Sequence, residues 1–141
     1  MAAKTLILML FTLMSTATPN SYAAPLSLPD SLGSQVYQRN CSVCHGQNAE
    51  GAENWKIQNG YGELPAPPHN KEGHTWRHSD KMLQRMIKQG WRDPFNKTKR
   101  LTMPAFENAL NPKEIDAVIA YMKTFWTPVQ IEYQQKENIR R

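Results

Sequence analysis

The sequence has almost no β-strand pattern and no long hydrophobic run. No window alternates about four or more β-branched or aromatic residues between turn signals, which argues against a sheet. No apolar run reaches the roughly 18–20 residues that span a bilayer, which excludes a polytopic membrane protein. Internal repeats are also missing, which excludes a solenoid. These absences leave an all-α fold class as the prediction.

The N-terminus has the pattern of an export signal. The longest apolar run begins at Leu6, behind Lys4, and Ser21-Tyr22-Ala23 places small residues at the −3 and −1 positions of a cleavage site. We therefore predict that residues 1–23 are a cleaved signal peptide and that the protein is periplasmic.

The remaining chain has few of the residues that usually fill a core. Residues 24–141 contain 20 Leu, Ile, Val and Phe in 118 positions, together with four Trp, four Tyr and four Met. The aromatic and methionine side chains suit packing around a large flat apolar body, and domains this small often depend on a disulfide, a metal or a cofactor. The composition therefore predicts that one of these three supplements the core.

Three segments combine helix-capping residues with apolar positions at helical spacing. Their starts and ends are Asp30 or Ser31 to Cys41, Ser79 to Gly90, and Asn111 to Pro128. The loops at 46–70 and 91–110 are rich in Gly, Pro and Asn, and loops of this length are unusual unless they enclose something. We predict one domain over 24–128 and a polar C-terminal tail over 129–141.

The chemistry is indicated by the motif Cys41-Ser42-Val43-Cys44-His45. A C-x-x-C-H run is the attachment signature of c-type haem. Two thiols on one helical turn can reach the two vinyl groups at one edge of a porphyrin, and the adjacent imidazole can bind the iron. The motif predicts one covalently bound haem c, attached through Cys41 and Cys44, with His45 as an axial ligand.

Three other interpretations of these residues are open. A disulfide between Cys41 and Cys44 would suit an exported protein. A thioredoxin-type redox pair would need a βαβ context, which the sequence lacks. A zinc site could combine the motif with one of the other histidines, His69, His74 or His78.

Met103 is the candidate for the second axial position. It lies in a loop as Thr102-Met103-Pro104, and the proline stiffens the backbone beside it. The other methionines of the domain, Met82, Met86 and Met122, lie on inward helix faces and are expected to fill the core. His/Met ligation raises the reduction potential and closes the iron to substrates, which indicates an electron carrier and not an enzyme. If Met103 belongs to the core instead, a five-coordinate haem acting as a peroxidase or diatomic-gas sensor is the alternative.

With both ligands assigned, the chain resembles the class I monohaem c-type cytochromes over nearly all of its mature length. The resemblance rests on the C-x-x-C-H motif, on Met103-Pro104-Ala105-Phe106 and on a last helix that includes 115–123. It implies a cytochrome c-like fold with three main helices and long loops around one covalently bound haem. It also implies that Gly33 and Tyr37 on the first helix cross Val118 and Tyr121 on the last.

The resemblance also assigns residues around the haem. A proline carbonyl is expected against the ring N–H of the axial histidine, and Pro67 is our choice in the Pro-rich cluster at 65–68. His74 and Trp76 are expected near the haem propionates, to which their ring N–H groups can donate; a tryptophan that only covers the haem edge is the alternative. His69 and His78 are expected at the surface, without a role.

The distribution of charge suggests a partner. Nine basic and three acidic residues lie between positions 71 and 100, and Lys81, Arg85 and Lys88 follow one another at helical spacing as a basic stripe. A solvated helix face is the plain interpretation. The functional interpretation is that these charges steer the protein toward a redox protein partner with an acidic docking face. We expect a monomer without nucleic-acid partners, either a free shuttle or a haem-bearing subunit of a larger redox complex.

Overall fold

The computed structural model describes residues 31–140, which form a mainly helical domain. Its elements are α1 (Leu32–Asn40), α2 (Ser42–His45), a 3₁₀ helix (Thr75–Arg77), α3 (Asp80–Gln89), α4 (Pro112–Lys123) and α5 (Pro128–Arg140). Within this part of the chain the only strand-like pairing is an isolated antiparallel bridge between Trp91 and Met103. The all-α prediction is confirmed. The predicted signal peptide at 1–23 lies outside the described residues.

The three predicted helices begin at side-chain caps. The Ser31 hydroxyl accepts from the Ser34 backbone N–H (3.1 Å), and the Ser79 hydroxyl accepts from the Met82 N–H (3.3 Å). At the start of α4, Asn111 and Glu114 each accept from the other's backbone N–H, which completes a capping box. Each cap satisfies backbone donors that a helix leaves unpaired in its first turn.

The core lies where α1 crosses α4. Val36 and Tyr37 of α1 are fully buried, and the Tyr37 ring centroid is 5.4 Å from that of Tyr121. Gly33 lies directly against the Ala117 carbonyl, so the two backbones approach as closely as the sequence analysis expected. The buried face of α4 consists of Ile115, Val118, Ile119 and Met122.

The C-terminal region differs from the expectation in two ways. Helix α4 ends at Lys123 and not at Pro128, and Pro128 begins α5, a helix of 13 residues where the sequence predicts a polar tail with at most a short surface helix. A proline fits the first turn because its missing N–H would have no partner there. The Thr127 hydroxyl accepts from the Gln130 N–H and the Gln130 side chain accepts from the Thr127 N–H, which is a second reciprocal cap.

Helix α5 packs back onto the domain through polar side chains. Gln134 is 1% exposed and donates to a carboxylate oxygen of Asp80 (2.6 Å). The Tyr133 ring meets Trp76 edge to face at 5.2 Å, and Gln130 donates to the Lys71 carbonyl. The polar tail is therefore an ordered helix of the domain. None of the helices in residues 31–140 has the length and apolar character needed to cross a membrane.

The two long loops are joined by an ion pair, the loop clip, between Glu63 and Arg100. The Arg100 guanidinium donates from Nε to Glu63 Oε1 (2.7 Å) and from a terminal nitrogen to Oε2 (2.5 Å). These hydrogen bonds, with one from Asn59, lower the pKa of Glu63 to about 2. The Leu64 backbone N–H also donates to Asp93, and the Lys97 N–H donates to the Tyr61 carbonyl (2.9 Å), so further hydrogen bonds join the loops near this point.

Candidate functional site

The two cysteines of the motif lie one helical turn apart. Cys41 ends α1, and its carbonyl accepts from the backbone N–H groups of Cys44 (3.1 Å) and His45 (2.9 Å). Both thiols are free; Cys41 is half-buried and Cys44 is exposed. The disulfide interpretation is therefore wrong for this structure.

The imidazole of His45 is held by one backbone hydrogen bond. Its Nδ1 lies 2.8 Å from the Pro67 carbonyl oxygen, which can only accept, so Nδ1 carries the proton. Burial lowers the pKa of His45, partly opposed by the bond to Pro67. The Nε2 atom keeps its lone pair and is the one available to a metal. The structure thus brings together His45 and Pro67, the pair that the sequence analysis proposed.

The backbone around Pro67 is shaped to keep this carbonyl in place. The Ala52 N–H donates to the Ala66 carbonyl (2.8 Å), and the His69 N–H donates to the Ala49 carbonyl (2.9 Å). Gly51 has a φ of +78°, and a Cβ there would lie 2.5 Å from the Pro68 nitrogen. Only glycine permits the approach of these two stretches of loop.

The chemistry of this donor set fits a c-type haem. Two free thiols and an imidazole nitrogen lie within residues 41–45, on one helical turn that starts at Cys41, as thioether attachment and axial ligation require. The other interpretations fit less well. Burial raises the pKa of Cys41 to about 11, whereas redox and zinc-binding cysteines need a stabilised thiolate. No group of three or more His, Cys, Asp or Glu in the described chain is arranged to hold a metal ion.

Met103 lies in a loop whose backbone is paired. The Trp91 N–H donates to the Met103 carbonyl and the Met103 N–H donates to the Trp91 carbonyl, each at 3.0 Å. At Gly90 (φ +74°) a Cβ would lie 2.6 Å from the Met103 oxygen, so glycine is needed where α3 ends against this loop. The Met103 side chain is half-buried and packs against the core.

His74 and Trp76 lie together at one end of the domain. The Trp76 indole N–H donates to the Gly73 carbonyl (3.0 Å), which leaves it no proton for a haem carboxylate. The donor role expected of Trp76 is therefore not supported, because a neighbouring carbonyl already takes that proton. The His74 ring stacks with Trp55 at a centroid distance of 6.1 Å, and burial lowers its pKa.

The sequence analysis missed His69. The residue was expected at the surface, but its ring stacks on that of His45 with centroids 3.9 Å apart and planes 25° from parallel. Burial lowers its pKa well below the usual value. The available signal was its position two residues after Pro67, which places it beside the histidine that Pro67 holds.

The basic stripe is exposed along α3. Lys81, Arg85 and Lys88 all point to solvent. Arg85 lines a shallow hollow together with Met86, Gly90 and Trp91, the residue whose backbone pairs with Met103.

Comparison with protein families gives one match. The family model described as "Cytochrome c" matches residues 31–126, a range that contains the motif, Pro67, His69 and Met103 and ends just before α5. Comparisons with curated proteins and with solved structures find no match for this chain.

Proposed function

From the premise that the chain belongs to the cytochrome c family, whose members bind haem c covalently, we propose that it is a periplasmic carrier of single electrons. Haem c, when bound, supplies an iron that exchanges one electron.

The motif residues hold the cofactor. Cys41 and Cys44 would form the two thioether links, and His45 would bind the iron through Nε2 because its Nδ1 proton is engaged by Pro67. The carbonyl also increases the basicity of the imidazole and fixes its tautomer. The observation that carries the proposal is this 2.8 Å bond beside two free thiols on the same turn.

Met103 is the second axial ligand in this proposal. Its backbone is paired with Trp91 on both sides, which limits the freedom of the thioether. A methionine sulfur raises the reduction potential and leaves no position for substrate, so the chain transfers electrons without transforming a bound molecule.

Replacement of Met103 tests the proposal. We expect Met103→Ala, made with intact haem attachment, to lose the charge-transfer band of methionine–iron ligation and to have a lower reduction potential. Met86→Ala is the matched control, because Met86 is also half-buried against the core and lies on α3. A spectrum of Met103→Ala identical to that of the parent would contradict the assignment. Prompt binding of carbon monoxide by the parent would favour the five-coordinate alternative.

The basic stripe is the proposed docking surface. Its three exposed cations, with the other basic residues of positions 71–100, favour encounter with an acidic face on a redox partner. A monomeric free shuttle is the simplest form. If the protein is instead a haem-bearing subunit of a larger redox complex, we expect it to co-purify with that complex at moderate salt.

A further inference from the structure

The ring of His69 covers one face of the His45 imidazole. The centroid separation of 3.9 Å and the 25° interplanar angle describe a stack in full contact. The two residues are far apart in the sequence, and the contact is made by the loop that follows Pro67. The proposed ligation through His45 does not itself require this second ring.

His69 is anchored from three directions. Its backbone N–H donates to the Ala49 carbonyl (2.9 Å), and its carbonyl accepts from the Trp126 indole N–H (2.8 Å). Its Nδ1 lies 2.8 Å from the Thr75 hydroxyl oxygen, and that hydroxyl donates to the Pro68 carbonyl at 3.4 Å. A hydroxyl can both donate and accept, so this hydrogen bond holds the ring in place in either tautomer of His69.

We propose that His69 is a positioning residue that fixes the plane of the His45 ring. A single hydrogen bond from Nδ1 to the Pro67 oxygen still allows the imidazole small rotations about its Cβ–Cγ bond. A flat ring packed on one face blocks that rotation, and the Thr75 hydroxyl keeps the blocking ring in its own plane. The inference rests on the proposed role of His45 as an axial ligand.

The orientation of an axial imidazole has its own spectroscopic readout. In a low-spin ferric haem protein, the direction of the imidazole plane determines the order and spread of the hyperfine-shifted haem-methyl resonances. A residue that only supported the fold would change stability and leave this pattern in place.

Three variants of the haem-loaded protein separate ring stacking from simple packing. His69→Leu keeps apolar volume but removes the flat ring; we expect a changed order or spread of the methyl resonances. His69→Phe restores a flat ring without the hydrogen bond, and we expect a pattern closer to that of the parent. Thr75→Val keeps His69 but removes its anchor, and we expect a smaller shift in the direction of His69→Leu.

Each outcome either supports or contradicts the positioning role of His69. A methyl pattern in His69→Leu identical to that of a low-spin parent overturns the inference and leaves the proposed function intact. A parent without covalently bound haem overturns both. If His69→Leu does not fold, Thr75→Val and His69→Phe carry the test. Haem-methyl resonances of Thr75→Val at the parent positions, together with resonances of His69→Phe displaced from the parent positions, would then overturn the inference.

Discussion

At the scale of single residues, Gly33 has no room for a larger side chain. A Cβ on Gly33 would meet the Ala117 carbonyl oxygen and would lie 2.8 Å from the Tyr121 Cβ. The Ala117 carbonyl belongs to the backbone of α4, which cannot move aside as a flexible side chain would. The crossing of α1 and α4 therefore depends on a hydrogen atom at this position.

Gly33→Ala is expected to lower the free energy of unfolding by roughly 1–3 kcal/mol, the usual range for overpacking a tight core site. Urea denaturation of the haem-loaded protein measures the change. Gly60→Ala is the control, because a Cβ at Gly60 has no atom within 4 Å, and we expect a change below about 0.5 kcal/mol. Equal stability of the two variants would contradict the crossing as described.

Single residues also show the limit of inference from sequence. The motif at 41–45 and the choice of Pro67 follow from local spacing, and the structure brings His45 and Pro67 together. The stack of His69 on His45 could not be foreseen, because it depends on the path of a loop and not on any periodic pattern. The same holds for Trp76, whose indole proton is taken by a carbonyl three residues earlier.

At the scale of elements, α5 shows how a helix can be underestimated. Its buried positions include Gln134 and Glu137, so hydrophobic periodicity gives no sign of the face that packs inward. The sequence Thr127-Pro128-Val129-Gln130 does contain a helix-start signal, a capping box with proline in the first turn. That signal was interpreted only as the end of α4.

The loop clip joins the loop that contains Pro67 to the loop that contains Met103. Glu63 is 4% exposed and receives donors from Arg100 and Asn59, so its carboxylate is bound on both oxygens. The position and partner of this carboxylate were not apparent in the sequence, because 37 residues separate Glu63 from Arg100.

The clip predicts a specific sensitivity to acid. The pKa of Glu63 in the folded protein, about 2, lies below its ordinary value of 4.5, so the stabilisation is complete above 4.5 and is lost as the pH falls toward 2. We expect Glu63→Gln to be less stable than the parent near neutral pH and to lose less of its stability on acidification. Urea midpoints at about pH 7 and about pH 3 measure both effects.

Glu132→Gln is the matched control for that experiment. Glu132 pairs with Lys136 on the surface of α5, where both side chains are more than half exposed, and such pairs contribute little. An acid response of Glu63→Gln as steep as that of the parent would show that the clip does not hold the loops.

At the scale of the whole molecule, charge is unevenly distributed. The formal net charge is +5, while positions 71–100 contain nine basic and three acidic residues. The segment's excess of six positive charges is larger than that of the full chain, so the remainder is slightly acidic. This asymmetry could be predicted from the sequence alone, because it needs no knowledge of packing; the exposure of the basic stripe on α3 needed the structure.

Arg85→Glu is expected to slow electron exchange with an acidic redox protein several-fold at low ionic strength, with the difference shrinking as salt is added. Stopped-flow mixing with an acidic partner protein measures the second-order rate. Lys113→Glu makes the same change in charge at an exposed position on α4 and should reduce the rate less. Equal effects of the two variants would mean that only net charge matters and that the stripe is not the docking surface.

The hydrogen bond from Trp126 to the His69 carbonyl spans 57 positions of sequence. The bond ties the residue that stacks on His45 to the segment between α4 and α5. A disturbance at position 126 would therefore reach position 45 through one backbone carbonyl and one ring, without any change in the motif itself.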